Sequence, residues 1–255
     1  MKRLIIFIYG VVCYAVFFAT FLYAIGFLGN IGVPKSIDSV REAPLATALL
    51  INLGLLAVFA VQHSVMARPA FKRWWTRFVP EPAERSTYVL FSSLAMIALF
   101  AYWQPVGGMI WDVEAPLARG ALYGAFAFGW TLLLYSTFLI NHFDLFGLRQ
   151  VWLYLLGRPY QPVPFRMPAL YSHMRHPLYL GWLFTFWATP TMTATHLLFA
   201  LATTAYIFVA IRFEERDLVD AHPEYADYRR RVPMILPFGR RNGTSGAGMQ
   251  LGRNA

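Results

Sequence analysis

LIIFIYGVVCYAVFFATFLYAIGFL, the stretch from Leu4 to Leu28, contains no charged side chain. About 20 such residues in helical form cross the roughly 30 Å hydrocarbon core of a bilayer. The run lacks a small-residue cleavage pattern and is longer than the apolar core of a secretory signal, so it reads as a retained anchor. Comparable runs recur outward from it at about 45–61, 86–103 and 117–140, and a longer one fills 177–211. Over the chain, 58% of residues are hydrophobic and 14% charged, against about 25% charged in an ordinary soluble domain. Buried helices of soluble proteins rarely supply several runs of this length. The expectation is an all-α polytopic integral membrane protein of the bacterial inner-membrane type.

A net charge of +9 would ordinarily raise nucleic acid as a partner. Here the basic residues flank apolar runs and sit beside aromatics, the arrangement of topology determinants and headgroup contacts, so the bilayer is the expected partner. Cys13, the single cysteine, lies inside the first run, which excludes a disulfide and a thiolate metal cluster. The Trp74-Trp75 pair reads as part of an interfacial aromatic belt.

Four spans precede a polar stretch, 141–176, that holds four prolines and is too hydrophilic to cross. Gly120, Gly124 and Gly129 on the fourth span would allow close helix approach. The last apolar segment, some 35 residues from Pro177 to Ile211, exceeds one span and falls short of two. Thr189-Pro190-Thr191 lies near its middle. Proline there breaks a helix, which predicts a bent hairpin with two arms that each go part way, the bend shielded by protein. Of the 22 basic residues, all but Lys35, Arg41 and Arg119 fall on the side of the N-terminus, which the positive-inside rule assigns to the cytoplasm. A returning hairpin puts the C-terminal region there too, as a cytosolic cap. Residues 1–237 read as one domain, with its cap region over about 160–237, and 238–255 as a Gly/Asn/Ser/Arg-rich disordered tail.

Two segments flank the hairpin and would meet at its mouth: Tyr171-Ser-His-Met-Arg175-His176-Pro177-Leu178-Tyr179-Leu-Gly181, and Glu214-Glu215-Arg216-Asp217-Leu218 followed by His222, Tyr225, Tyr228 and the Val232 to Pro237 stretch. Arg-His-Pro reads as a helix start, since Pro177 suits a first turn and pushes His176 out of helical geometry. Unpaired backbone donors at such a start favour an anion or a ligand carboxylate. Glu214 and Glu215 lie near the membrane plane, where a carboxylate needs a cationic or hydroxyl partner. Arg175, Arg216, an ammonium or ribose hydroxyls would serve. His173 and His176 with the glutamates could suggest a metal, but the motif around His176 accounts for it, and no metal is expected. His196 fits packing, and His222-Pro-Glu fits a turn.

Arg175-His-Pro-x-Tyr179-x-Gly181, Glu214-Glu-x-x-Leu218, Tyr225-x-x-Tyr228 and Val232-Pro-x-x-x-Pro237 together resemble the isoprenylcysteine carboxyl methyltransferase family over about residues 160–237. The resemblance implies a membrane-embedded S-adenosylmethionine site open to the cytosol, lined by Tyr171, Arg175, His176, Pro177, Leu178, Tyr179, Glu214 and Glu215. The position that carries a substrate-carboxylate arginine in the prenylcysteine enzymes is Ala210 here, with Arg212 offset by two, so a prenylcysteine carboxylate site does not carry over. The segments Gln62 to Trp75 and Asn141 to Gln150, with Trp187 to Thr193, look like the branch of that family whose bacterial members methylate methanethiol to dimethyl sulfide. That branch also includes proteins linked to denitrification with no settled activity. Other acceptors (a lipid amine or carboxylate), a nicotinamide-dependent membrane reductase, and a non-catalytic partner in nitrogen-oxide metabolism therefore stay open.

A thiol is reactive as thiolate, and a free thiol has a pKa near 8.5, so a histidine or a positive field beside it is expected. His63 is the first candidate base, with Ser64, His142 and Asp144 behind it. Gln62 and His63 equally fit hydrogen bonding to a neighbouring helix, and His142 and Asp144 fit a helix-end cap. An apolar aromatic cavity would suit a small volatile substrate.

Overall fold

The computed structural model describes residues 1–40, 43–164 and 166–237. In chain order its helices are α1 (Lys2–Gly29), α2 (Leu45–Ala67), α3 (Pro69–Trp75), α4 (Glu81–Tyr102), α5 (Pro116–Ile140), α6 (His142–Leu145), α7 (Leu148–Leu155), α8 (Pro177–Trp187), α9 (Ala194–Ala221) and α10 (Tyr225–Arg231), with strands β1 (Met109–Asp112) and β2 (Thr191–Thr193). α1, α2, α4, α5 and α9 are long and apolar enough to cross a membrane. Helix is the form such runs take, because hydrocarbon offers no partner to an unsatisfied backbone group. Proline opens α3, α4, α5 and α8 within the first turn, where its missing N–H costs nothing. Asn30 ends α1 in the left-handed region at φ 54°, and the Thr193 side chain caps α9 by accepting from the His196 N–H.

The hairpin is lopsided. Its first arm, α8, has 11 residues, while its second, α9, has 28 and is itself of full spanning length. The expectation of two partial arms is corrected on this point. The apolar count stops at Ile211, but the helix runs on through Glu214, Glu215 and Asp217, where Arg175 meets Glu215, Arg68 meets Asp217 and the Tyr179 hydroxyl meets Glu214. The bend also does more than turn the chain. β2 pairs antiparallel with β1, Asp112 opposite Thr191 and Met109 opposite Thr193, with a bulge between Met109 and Trp111.

An aromatic core lies between the helices: Phe27, Trp103, Phe126, Trp130, Phe186 and Phe199 are buried together with Leu99, Ile207 and Ile211. The outward faces remain apolar, as at Leu50, Val58, Val61 and Leu117, which suits lipid as solvent. A buried polar side chain on α2 is satisfied by the chain just after α4. Asn52, fully buried on α2, donates to the Gln104 carbonyl at 2.7 Å and accepts from its N–H at 2.8 Å.

α8 packs chiefly on α5, and the contact runs backbone to backbone at Gly129 and Gly181. A Cβ on Gly129 would come within 2.7 Å of the Phe184 Cβ and 2.9 Å of the Gly181 carbonyl, and one on Gly181 within 2.9 Å of the Gly129 carbonyl. Gly120 and Gly124 face open space, so of the three glycines read as a packing stripe, Gly129 alone is used in this way within the chain. The stretch 238–255 lies outside the described residues. Gly181→Ala is expected to destabilise the protein by about 1–3 kcal/mol through overpacking, lowering the thermal midpoint in detergent, whereas Gly124→Ala leaves it unchanged or raised.

Candidate functional site

Glu215 is the anchor of the cap. Its Oε1 accepts from Arg175 Nε at 2.6 Å and from His176 Nε2 at 3.0 Å, with the Tyr225 hydroxyl further out at 3.5 Å. Arg175 also donates from Nη1 to the carbonyls of Arg229 (2.8 Å) and Val232 (2.5 Å). The backbone of the same segment pairs with the chain end, Arg175 N–H to the Pro233 carbonyl and His176 N–H to that of Met234. The Tyr228 hydroxyl donates to the Tyr171 carbonyl at 2.5 Å, and burial pushes its pKa up to about 12, so it stays a donor. The motif residues Tyr171, Arg175, His176, Pro177, Tyr179, Glu214, Glu215, Tyr225 and Tyr228 are thus brought together.

Within this cluster the two glutamates differ. The Glu215 side chain is 11% exposed and spent on internal partners, while that of Glu214 is 45% exposed. Glu214 Oε2 accepts from the Tyr179 hydroxyl at 2.9 Å and stands 4.0 Å from His176 Nδ1, which leaves most of its acceptor capacity open. The Tyr171 hydroxyl is buried and has no hydrogen-bond partner among the described residues, its pKa raised by burial and then by the Glu214 charge. Leu178 and Tyr179 present first-turn N–H groups at the start of α8, which has no side-chain cap. A carboxylate, an orphan hydroxyl and free helix-start donors make a donor and acceptor set for a ligand that carries both ammonium or hydroxyl groups and a carboxylate. His173 turns away, to Ser172 Oγ and the Ala169 carbonyl.

His63 lies on α2. Its Nδ1 is 3.2 Å from Ser92 Oγ, and the Tyr88 hydroxyl lies 3.0 and 2.9 Å from its two ring nitrogens. Phe59 stacks on the ring at 5.2 Å, and the Ser64 hydroxyl meets that of Tyr206 on α9 at 3.0 Å. The Tyr88 and Tyr179 hydroxyls lie within electrostatic reach of the Glu214 carboxylate. The end of α2 is tied to α9 by Arg68 and Asp217 at 2.8 Å. Tyr88, Ser92, Phe59 and Tyr206 were not picked out from the sequence. The available signal was the four-residue spacing of Tyr88 and Ser92 inside an apolar run, which puts two polar groups on one face.

His142 and Asp144 are held elsewhere. The Thr137 hydroxyl donates to the Leu134 carbonyl at 2.6 Å, so it accepts from His142 Nδ1 at 2.8 Å. Nε2 then accepts from the Tyr14 hydroxyl at 2.8 Å, and both nitrogens of a neutral ring are used. Burial lowers the His142 pKa in agreement. Asp144 pairs with Arg149 at 2.8 Å and Tyr160 at 3.3 Å. Phe146 packs on His142 and also against the Met66, Tyr88 and Val89 cluster. A larger cavity of about 410 Å³, lined by Asn30, Ser36, Asp38, Arg119 and Thr189 among others, lies beside the hairpin bend and holds none of these groups, so its size does not make it the site.

Arg175→Ala leaves Glu215 buried without its cation and is expected to cost about 3–5 kcal/mol of cap docking, read as faster amide exchange across residues 225–237. For His142 the folded chain binds fewer protons than the unfolded one at pH values between its lowered pKa and about 6.5. Stability therefore falls as pH drops through that window. His142→Gln should flatten this part of the profile in melts run from about pH 5 to about pH 8.

No protein-family model matches the chain, and no solved structure matches it. It is 56% identical over 239 residues to methanethiol S-methyltransferase of Crocosphaera subtropica, covering 93% of this chain and 94% of that one. To methanethiol S-methyltransferase of Mycobacterium tuberculosis it is 54% identical over 243 residues, 95% and 100% of the two chains. To methanethiol S-methyltransferase 1 of Bradyrhizobium diazoefficiens it is 54% identical over 240 residues, 93% and 84%. Identity at this level along nearly the full length of all three, together with the arrangement around Glu214 and His63, places the chain: it belongs to the methanethiol S-methyltransferase family.

Proposed function

We propose that the chain is a membrane-embedded, S-adenosylmethionine-dependent methyltransferase that methylates methanethiol to dimethyl sulfide, with residues 1–237 as the working domain. The relatives' names supply the acceptor. The observation that carries the reading is the pairing of two unlike groups: an open Glu214 carboxylate with the orphan Tyr171 hydroxyl, and a His63, Tyr88 and Ser92 cluster whose Tyr88 lies within electrostatic reach of Glu214. Glu214 suits ribose hydroxyls or the ammonium of the cofactor, and the N–H groups of Leu178 and Tyr179 suit its carboxylate. Bound there, S-adenosylmethionine supplies a sulfonium methyl group to a nucleophile in line with it. Arg175, His176 and Glu215 hold the cap that carries these contacts.

His63 is assigned as the base. The thiol proton passes to its ring, and the sulfur lone pair forms the new carbon–sulfur bond while the old one breaks and leaves its electron pair on the departing sulfur. Tyr88 and Ser92 fix the ring in place, and Arg85, 5.3 Å from the Tyr88 ring centre, adds a positive field that favours thiolate. His142 and Asp144 take a structural part in this scheme, since their polar groups are already paired. Close positioning of nucleophile and methyl group can supply about 7–11 kcal/mol of the barrier. The excess of basic residues on the Glu214 side supports a cytoplasmic placement of that face and of the N-terminus.

Purified protein given S-adenosylmethionine and methanethiol should release dimethyl sulfide into the headspace only when both are present. Glu214→Ala should weaken cofactor binding by about 10- to 100-fold, the worth of a charge-assisted hydrogen bond, in a calorimetric titration. His63→Ala should bind cofactor as the parent does and lose about 10²- to 10⁴-fold in rate. Parent-like cofactor affinity in Glu214→Ala would remove this placement of the site.

A further inference from the structure

A thiol methylated beside His63 needs a route to that residue. α2 leans on α4 and touches α9 only sparsely. Between α2 and α9 lies a cavity of about 170 Å³ lined by Leu56, Ala57, Phe59, Ala60, Ala202, Thr203 and Tyr206. Apart from Thr203 and Tyr206 the lining is apolar, and both hydroxyls are turned away from it. That of Thr203 donates to the Phe199 carbonyl of its own helix at 2.6 Å, and that of Tyr206 meets Ser64. Ala57 in the lining is itself exposed, as are Leu53 and Val58 on α2 and Leu201 and Val209 on α9, near the lining residues in sequence. On membrane-spanning helices exposure means lipid, so the cleft opens sideways into hydrocarbon.

Its inner wall belongs to the reaction site. Phe59 and Tyr206 pack edge to face at 6.3 Å. On the far side of that pair Phe59 stacks on His63 and Tyr206 bonds Ser64. We infer that this cleft is the entrance and alkyl pocket for the thiol, taken from the bilayer rather than from the cytosol, with Phe59 and Tyr206 as the threshold before His63. The inference rests on the thiol-methylating reading above.

Three physical points favour a small neutral thiol as the occupant. With a pKa well above neutrality a thiol is mostly uncharged at pH 7, so it partitions into hydrocarbon and crosses an apolar threshold without an ionic penalty. Deprotonation is then needed only beyond the threshold, where His63 stands. The volume is several times the roughly 30 Å³ share of one water, which accommodates a short alkyl thiol. The thioether product has no hydrogen-bond donor and no charge, so the same route serves its exit into lipid.

The test uses the full-length protein in lipid nanodiscs, with methanethiol, 1-propanethiol and 1-hexanethiol as acceptors. Ala60→Phe and, separately, Ala57→Phe narrow the cleft. Ala57 is exposed, so a ring there does not threaten the fold. Each is expected to raise KM for methanethiol by about tenfold or more while kcat and S-adenosylmethionine affinity stay within about twofold, the signature of lost substrate access rather than lost chemistry. Leu56→Ala widens the cleft and should raise kcat/KM for 1-hexanethiol relative to methanethiol. An unchanged methanethiol KM in both narrowed variants would overturn the entrance while leaving thiol methylation in place. No turnover of any thiol by the parent with cofactor bound would overturn the function and the entrance with it.

Discussion

Glu215 sits on a helix that crosses the membrane, and a carboxylate at such a position needs cationic partners to stay charged. Arg175 supplies the cation from the other end of the hairpin and His176 a second hydrogen bond, both to one oxygen. That one carboxylate joins the start of α8, the end of α9 and, through the further bonds of Arg175 to the Arg229 and Val232 carbonyls, the last turn of α10 and the residue after it. The site depends on this junction. With Glu215 consumed, its neighbour Glu214 is left turned toward open space with a single tyrosine donor. Two adjacent glutamates on one helix thus divide into a structural carboxylate and a ligand-facing one, because successive helical residues point about 100° apart.

The second constraint is the close approach of α5 and α8. α8 has 11 residues and cannot reach across a bilayer unaided. Gly129 and Gly181 let its backbone lie directly on α5, where the gain is van der Waals contact, since lipid provides no hydrophobic drive between helices. At the other end of the hairpin, β1 closes over the bend and meets its backbone groups: Val113 N–H donates to the Pro190 carbonyl and Ala194 N–H to that of Gly108. Irregular backbone next to a membrane is tolerated where protein satisfies it in this way.

Spanning runs, hairpin and cap were legible in the sequence because each follows from composition or from proline chemistry acting locally. The same holds for the cluster around Arg175, His176, Tyr179 and Glu214, whose residue types and order carried a family resemblance. What eluded the sequence was nonlocal. The polar end of α9 has two of its carboxylates met by Arg68 and Arg175, some 150 and 40 residues away. Strand β1 is four exposed residues with a pattern no window would flag. Tyr88 and Tyr206 looked like ordinary aromatics of apolar spans until the packing set their hydroxyls against His63 and Ser64.

By itself, then, the sequence determined that this chain lives in a bilayer, where its segments lie and which side its charges favour, because hydrophobicity and charge are summed along the chain without regard to partners. Only the tertiary structure decided which of His63 and His142 keeps company with Glu214, which of two glutamates is open, which of three glycines is a contact and where a cleft is left between α2 and α9. Those are questions of which groups consume one another's hydrogen bonds and volume. That accounting is settled between helices distant in sequence, where pattern along the chain carries no information about distance across it.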